Sequence, residues 1–359
     1  MKKTAHLLLL SVAAAAVASC SENTEFEENF PAGDGEIRFQ ARTEHLARRS
    51  DITTNTLDEF YVYAYTGMSS IPKIFMDNVT VTKTASNTWA YSPLKYWPVG
   101  AVDFFAYAPE GWVGSAGPLE PVPYSNYGSD KDLIYSVNTG NIGNAGEQNA
   151  QVILNFRHAL SKVTVNLSST NDNLTVKLTG VGFKNLYAKA SFNFPRATTA
   201  PGMQTDASTV GNWTDLNTQY QYPIFMAQTL DEAIDLTPTP TDLSNTPLGG
   251  PRYMIPQPLR YESEGSGADN CLVVMCSVLD AKTGQKLWPN QNTPPEDFVP
   301  GSTLQDGLLK FALSSSNVTE WKPGYHYIYN VVINANPDMG AIDFGTPTVD
   351  TFVDVETNY

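Results

Sequence analysis

The chain contains little cysteine. Three of its 359 residues are cysteine, and only two of these, Cys271 and Cys276, lie beyond the first twenty positions. The apolar run between them predicts a strand, in which an odd separation places the two sulfur atoms on opposite faces. Five steps of about 3.3 Å also separate their Cα atoms by far more than the ~7 Å that a disulfide spans. We therefore predict two free thiols and a fold that its apolar core stabilises.

The sequence also lacks the motifs that mark common enzymes. It contains no nucleophile elbow, zinc-protease helix, dinucleotide fingerprint or phosphate loop. His45, His158 and His326 are too far apart in sequence for metal-ligand spacing, and a structural imidazole is favoured over a catalytic base at His158. No pair of carboxylates stands out. These absences predict a protein that is not an enzyme and has no cofactor and no metal.

Positive charge is in short supply as well. Lysine and arginine number 22 against 37 aspartates and glutamates, which gives a formal net charge of −15. Nucleic acids and anionic membranes attract basic surfaces, so this balance argues against binding either of them through a basic patch.

Long apolar runs are confined to the N-terminus. Lys2 and Lys3 precede an apolar stretch that ends in small residues before Cys20, which is typical of a secretory signal and too short to span a membrane. A cysteine after small residues resembles a bacterial lipobox, so residues 1–19 are predicted to be a lipoprotein signal peptide and Cys20 the lipid attachment site. An ordinary signal peptide with an incidental cysteine is the alternative. The acidic segment Ser21–Glu28 predicts a flexible tether and resembles surface-export signals.

What the sequence has in abundance is short apolar segments between turn residues. Alternating or aromatic segments recur from residue 36 to residue 333, and no stretch keeps a 3.6-residue apolar period for four turns. Many short strands separated by turns predict an all-β protein with two tandem β-sandwich domains. The predicted loops are 110–130, 195–218 and 235–251. The predicted units are the signal peptide 1–19, a tether with a first strand 20–49, an N-terminal sandwich 50–168 and a C-terminal sandwich 169–359 with a tail from about 338.

An aromatic cluster, Trp89, Tyr91, Tyr96 and Trp97, allows two interpretations. It could form a platform on which sugars stack, or it could pack into the core of a sandwich. Its alternating pattern favours the core, because each large aromatic side chain buries about 150–250 Å².

Several segments together resemble the fimbrillin family, the major and minor fimbrial subunits (type V pilins) of anaerobic Gram-negative bacteria. The resemblance covers nearly the whole chain and lies in the order of its motifs behind the lipobox. These motifs are Glu36-Ile37-Arg38-Phe39, Leu57–Ala64, Tyr96-Trp97-Pro98 with Phe104–Pro109, Phe156–Val165, Tyr253–Gln257 and Trp321–Tyr327.

The resemblance implies transthyretin-like sandwiches and a mode of assembly. Members of the family are exported as lipoproteins, an Arg-specific protease removes the first strand, and a C-terminal strand of another subunit fills the groove. Carried over to this sequence, the removable strand is Ile37, Phe39 and Ala41, and the cleavage sites are Arg42, Arg48 and Arg49, unless these are solvated loop charges. The donor strand carries Ile342, Phe344, Val349, Thr351, Val353 and Val355, unless this tail is a final strand of its own domain.

The leading hypothesis is therefore a structural subunit of fimbriae on the cell outer membrane. Its expected partners are copies of itself or other fimbrial subunits, the protease, the membrane through lipid on Cys20, and a host or glycan ligand. The alternative is a non-polymerising surface lipoprotein, such as a tip adhesin, an anchor or a glycan-binding protein. A surface glycosidase or protease is the third and weakest reading.

Overall fold

The chain folds into β-strands, which confirms the predicted all-β class. The computed structural model describes residues 36–43, 52, 56–85, 88–127, 131–142, 151–198, 210–243, 252–260, 269–299, 301, 304–315, 317–335 and 342–344. Within these ranges there is no α-helix, and two short 3-10 helices occur at Leu230–Glu232 and Pro295–Asp297. No helix among these residues is long and apolar enough to cross a membrane.

The strands are numbered in chain order. They are β1 (Arg38–Thr43), β2 (Glu59–Thr66), β3 (Lys73–Lys83), β4 (Trp89–Tyr91), β5 (Ala101–Ala108), β6 (Val122–Ser125), β7 (Ile134–Ile142), β8 (Gln151–His158), β9 (Ser161–Ser168), β10 (Leu174–Asn193), β11 (Asn212–Met226), β12 (Ile234–Asp235), β13 (Thr241–Asp242), β14 (Arg252–Met254), β15 (Cys271–Asp280), β16 (Lys286–Trp288), β17 (Gly307–Ala312), β18 (His326–Ala335) and β19 (Ile342–Phe344).

These strands form three sheets. Sheet A has the order β1-β8-β7-β5-β2-β3-β4. Sheet B has the order β11-β10-β15-β16, with β12 and β6 also paired to β10 and β17 paired to β15. Sheet C has the order β13-β9-β18-β19, with β14 also paired to β9.

Sheet A has an apolar core on each face, and the sequence of β2 explains why. Alternate residues of a strand point to opposite faces. Phe60, Val62 and Ala64 enter a core of aliphatic and phenylalanine side chains, which we call the inner core. The tyrosines between them, at positions 61, 63 and 65, enter a second core rich in aromatic rings. A strand buried on both faces reads as a continuous apolar run, as β2 does.

Sheets B and C enclose the core of the second half of the chain. Leu272, Val274 and Cys276 of β15 enter it, whereas Cys271 is buried outside it, so the predicted alternation is confirmed. Both cysteines are free, as predicted. Trp321 is buried in this core, and its indole N–H donates to the hydroxyl of Tyr329 at 2.9 Å.

Strand pairing crosses the predicted boundary at residue 168. β9 precedes that boundary, yet it pairs with β13, β14 and β18 of the second half. Ala190, Phe192 and Trp213, from β10 and β11, complete the aromatic core on sheet A. The two halves therefore share a core, and the division into two tandem sandwiches stays a prediction.

Four details of the predicted segmentation were wrong. The predicted loop 235–251 contains β13, which pairs with β9 at Asn166 and Leu167. The predicted loop 110–130 contains β6, which pairs with β10 from Val122 to Ser125. The predicted loop 195–218 ends early, because β11 begins at Asn212. The sequence predicts two separate strands at 174–178 and 186–192, but both segments belong to the single strand β10, whose pairing with β11 and β15 shifts register at bulges. Bulges break the alternation that a sequence pattern reads as a strand end.

Candidate assembly site

The first strand occupies a groove along one edge of sheet A. β1 pairs in parallel with β8, from Arg38 opposite Gln151 to Thr43 opposite Phe156. Parallel neighbours require a long connection between them, and here the whole remainder of sheet A lies between the two strands in the chain. The position of β1 therefore depends on what it contacts rather than on a tight turn.

The apolar side chains of β1 fill the inner core. Ile37, Phe39 and Ala41 are all buried, as the predicted removable strand requires. The ring of Phe39 contacts the rings of Phe60 and Phe104 edge to face, with centroid distances of 6.1 and 5.7 Å. Because every second residue from 37 to 41 is buried in the inner core, this segment forms part of the core itself.

The other side of the groove is closed by the segment that follows β4. The backbone N–H of Ile37 donates to the carbonyl oxygen of Lys95 at 2.9 Å, and Glu36 forms an antiparallel bridge with Tyr96. β1 is thus held from both sides at its start, by β8 and by residues 95–96.

Tyr91 joins β1 to this closing segment. Its hydroxyl donates to the carbonyl oxygen of Ile37 at 2.8 Å and accepts from the backbone N–H of Lys95 at 3.3 Å. Its ring lies 5.4 Å from the ring of Phe39. Burial raises the pKa of Tyr91 to about 12, so the hydroxyl keeps its proton and remains a donor even in moderately alkaline solution.

The aromatic cluster packs against the inner core, as the sequence favoured. Trp89 lies 4.8 Å from the ring of Phe60, and Trp97 lies 5.9 Å from that of Phe104. Tyr96 differs, because its side chain is half exposed. The sequence therefore assigned three of the four aromatics correctly, but it gave no sign that the Tyr91 hydroxyl would bond β1.

The arginines predicted as cleavage sites follow the groove. Arg42 is exposed at the end of β1, where its guanidinium donates to Oε1 of Gln40 at 3.3 Å. Arg48 and Arg49 lie outside the described residues. Beyond them, the backbone N–H of Ile52 donates to Oδ2 of Asp132 at 3.0 Å, and the same oxygen lies 2.9 Å from Nδ1 of His158. This buried pair agrees with a structural role for His158, and it anchors the chain on the far side of the arginines.

The predicted donor strand is described only in part. Ile342 and Phe344 belong to β19, which pairs antiparallel with β18, Ile333 lying opposite Phe344 and Ala335 opposite Ile342. β19 is an edge strand of sheet C. Val349, Thr351, Val353 and Val355 lie outside the described residues, as does the predicted lipid site, Cys20.

The remaining chemistry of the described residues is sparse. Among them, no group of three or more histidine, cysteine, aspartate and glutamate side chains could hold a metal ion. A cleft of about 240 Å³ lies beside the β10–β11 hairpin; it is lined by Tyr187, Leu216, Gln219, Pro258, Arg260, Asp269 and Asn270.

Comparisons with known proteins identify one matching family model and several similar solved structures. The model of a family described as fimbrillin-like matches residues 47–350, so the matched part begins just behind β1. No curated protein matches the chain. Among solved structures, a fimbrial protein from Bacteroides vulgatus shares 16% identity at a TM-score of 0.47, over 88% of this chain and 99% of that one. A protein from Bacteroides uniformis, proposed to act in cell adhesion, has the same identity and TM-score over 88% and 98% of the two chains. The fimbrial anchor protein Mfa2 from Porphyromonas gingivalis shares 11% identity at a TM-score of 0.33, over 88% and 97%.

Proposed function

Since the chain belongs to the fimbrillin-like family, and is thus a fimbrial-type protein of the cell surface, we propose that it is a structural subunit of fimbriae. It is exported as a lipoprotein through Cys20, matured by cleavage at Arg42, Arg48 or Arg49, and polymerised by donor-strand exchange at the outer membrane. Its partners are other fimbrial subunits, and it carries out no catalysis.

The observation that supports this proposal most strongly is the position of β1. The predicted cleavage segment follows β1 directly in the chain. Beyond that segment, the hydrogen bond from the backbone N–H of Ile52 to Asp132 holds the chain to the domain again. Cleavage between these points separates β1 from the rest of the chain while the hydrogen bond of Ile52 to Asp132 remains.

Loss of β1 would expose an unpaired strand edge and part of the inner core. The backbone groups of β8 that face β1 would lose their partners, and the spaces that Ile37 and Phe39 fill would open to water. An unpaired edge is a ready template for another strand. Burial of each large apolar side chain contributes about 1.5–3 kcal/mol, so an incoming strand with the same alternation gains both ladder hydrogen bonds and core contacts.

The C-terminal tail supplies such an alternation. In an extended segment Val349, Thr351, Val353 and Val355 would share one face. Because the groove and the tail are different surfaces, a tail from one subunit in the groove of the next is a heterologous contact, which propagates into an open fibre.

One observation favours a second candidate function. β19, at the start of the tail, pairs with β18 of its own chain. If the rest of the tail also stays with its own domain, the protein is an accessory subunit, an anchor or tip protein, that accepts a strand or keeps β1 without donating one.

Replacing the arginines tests the proposal. The triple variants R42A/R48A/R49A and R42K/R48K/R49K both remove the Arg-specific sites, and the second keeps the charge. With an Arg-specific protease we expect the wild-type chain to lose residues up to one of these arginines and to lengthen into fibres by electron microscopy. Both triple variants should remain folded monomers of full length, whereas R196A, the control, should behave as the wild type does.

Normal fibres from both triple variants would contradict cleavage-driven polymerisation. Cleavage of the wild type without any fibres would instead assign the accessory role.

A further inference from the structure

One end of sheet A carries an unusual concentration of exposed apolar side chains. We call it the upper end, defined as the end where β1 and β8 begin and where β2 turns into β3. Of the large apolar residues that are exposed in the described part of the chain, more than half lie in two short segments at this end. These residues are Met68, Ile71, Ile74, Leu94, Tyr96 and Val99.

The pairing of the strands brings the two segments together. Thr66, at the end of β2, lies opposite both Lys73 of β3 and Val102 of β5, so the turn after β2 is beside the residues that precede β5. The ammonium of Lys95 lies 5.4 Å from the ring centroid of Phe75, which places residues 94–96 against β3. Both segments therefore lie at the same end of sheet A, and we call their six exposed side chains the upper apolar patch.

The exposure of this patch is high. Ile71 is 74% exposed, Ile74 is 62% exposed and Val99 is fully exposed. Isolated exposed apolar residues are ordinary in soluble proteins, but a cluster of this kind marks a surface that contacts an apolar partner.

The two segments that carry the patch also differ in charge from the chain as a whole. Residues 67–76 and 92–102 contain no aspartate or glutamate, although acidic residues exceed basic ones by 15 in the whole sequence. The charged residues in these two segments are Lys73 and Lys95, whose long side chains can keep the ammonium in water while the stem lies on apolar material.

The N-terminal tether meets the molecule at this patch. Glu36 precedes β1 and bridges to Tyr96, so the segment from Cys20 arrives directly beside it. Fifteen residues separate Cys20 from Glu36. Such a segment spans at most roughly 50 Å, so a lipid on Cys20 would keep the upper end within that distance of the membrane. The opposite end of sheet A leads from β8 into β9 and the second half of the chain.

We infer that the upper apolar patch is a membrane-contact surface, which inserts Ile71, Ile74 and Val99 into the interface of a lipid bilayer while β1 is in place. The inference rests on the proposed lipidation at Cys20. The contact is reversible and acts in addition to the covalent lipid. Cleavage behind β1 removes the tether and so releases the patch together with the subunit.

Flotation with lipid vesicles tests the inference without the covalent lipid. The probe is phosphatidylcholine vesicles, with or without a minor fraction of phosphatidylglycerol, and the protein is residues 20–359 carrying C20A. We expect it to float with both kinds of vesicle. I71S/V99S should lower the partition coefficient by about tenfold or more for each side chain removed. The control, M226S/L230S, replaces two exposed apolar side chains of the second half and should float as the parent protein does.

Several outcomes would overturn the inference. Absence of vesicle binding, or equal binding by I71S/V99S, would exclude the patch as a membrane contact. A concentration-dependent dimer that I71S/V99S abolishes would assign the patch to a second copy of the chain. Lipidation of Cys20, measured by mass spectrometry on the native protein, distinguishes these failures from failure of the proposed function.

Discussion

The hydroxyl of Tyr91 donates a hydrogen bond to the carbonyl oxygen of Ile37 at 2.8 Å, joining the first strand of the fold to a segment more than fifty residues away. This contact is made with a backbone group and therefore does not depend on which side chain stands at position 37. The same hydroxyl could therefore donate to a backbone carbonyl of a replacement strand that occupies the place of β1.

Removing that hydroxyl should weaken the hold on β1. For Tyr91→Phe we expect a loss of about 1 kcal/mol in unfolding free energy, since the Ile37 carbonyl and the Lys95 N–H lose a buried partner. Hydrogen exchange at residues 37–41 should quicken before global unfolding is reached. Tyr96→Phe, in a half-exposed ring of the same cluster, is the control and should leave both unchanged. Equal protection in the two variants would contradict a role for Tyr91 in holding β1.

Truncating the core side chain of β1 should affect the precursor alone. Phe39→Ala removes a buried ring that contacts Phe60 and Phe104, which costs about 3–5 kcal/mol. The uncleaved variant should melt at a lower temperature. After cleavage, fibres should form at the normal rate, because β1 has left. Gln40→Ala, on the opposite face of the strand, is the matched control. Fibres that fail to form from cleaved Phe39→Ala would show that β1 remains part of the assembled subunit.

Shortening the C-terminus distinguishes a donor strand from a strand of its own domain. A chain ending at Pro337 lacks β19 but keeps β18 paired with β9 from His326 to Val332. We expect cooperative unfolding with a melting temperature lowered by less than about 4 °C, together with complete loss of polymerisation after cleavage. A melt and an assembly assay on the same sample decide the question. Loss of cooperative folding would make the tail an integral part of sheet C.

Replacing the predicted lipid-bearing residue should release the protein. Cys20→Ala should abolish lipidation and move the chain to the periplasm or the medium, because the upper apolar patch alone binds membranes reversibly. Ser21→Ala, its neighbour, should remain lipidated. Fractionation and mass spectrometry of the intact protein measure both effects. A Cys20→Ala protein that keeps the same lipid mass would place the anchor elsewhere.

The tyrosines of sheet A predict a loss of stability in alkali. Burial raises the pKa of Tyr65 and Tyr107 to about 12, whereas an unfolded tyrosine titrates near 10. Below pH 10 both states hold these protons and the stability is unaffected. Between about pH 10 and 12 the unfolded state loses protons that the folded state retains, so the unfolding free energy falls as the pH rises. Urea unfolding across this range should show the decline, and Tyr107→Phe should make it shallower. A flat profile would indicate that these rings open to water.

Much of the fold could be predicted because strands leave a local signature. The alternation in β2, β5, β8, β9 and β15 sets which residues face a core. The structure confirms that Ile37, Phe39 and three of the four clustered aromatics face the inner core. The long strand β10 was missed as a single strand, since its bulges interrupt the period. β6 was missed because four residues, one of them proline, carry too little pattern to separate a strand from a loop.

The sequence by itself determined the all-β class, the unpaired thiols, the strand that enters the inner core and the motif order that places the chain in its family. Each of these depends on neighbours along the chain or on residue type. The tertiary structure alone decided that Tyr91 and Lys95 close the groove over β1, that β9 pairs with the second half, and that two short segments form one apolar patch. Those relationships join residues that are distant in sequence. Such pairs are set by which arrangement of strands buries the most apolar surface, and a local sequence pattern contains no information about that arrangement.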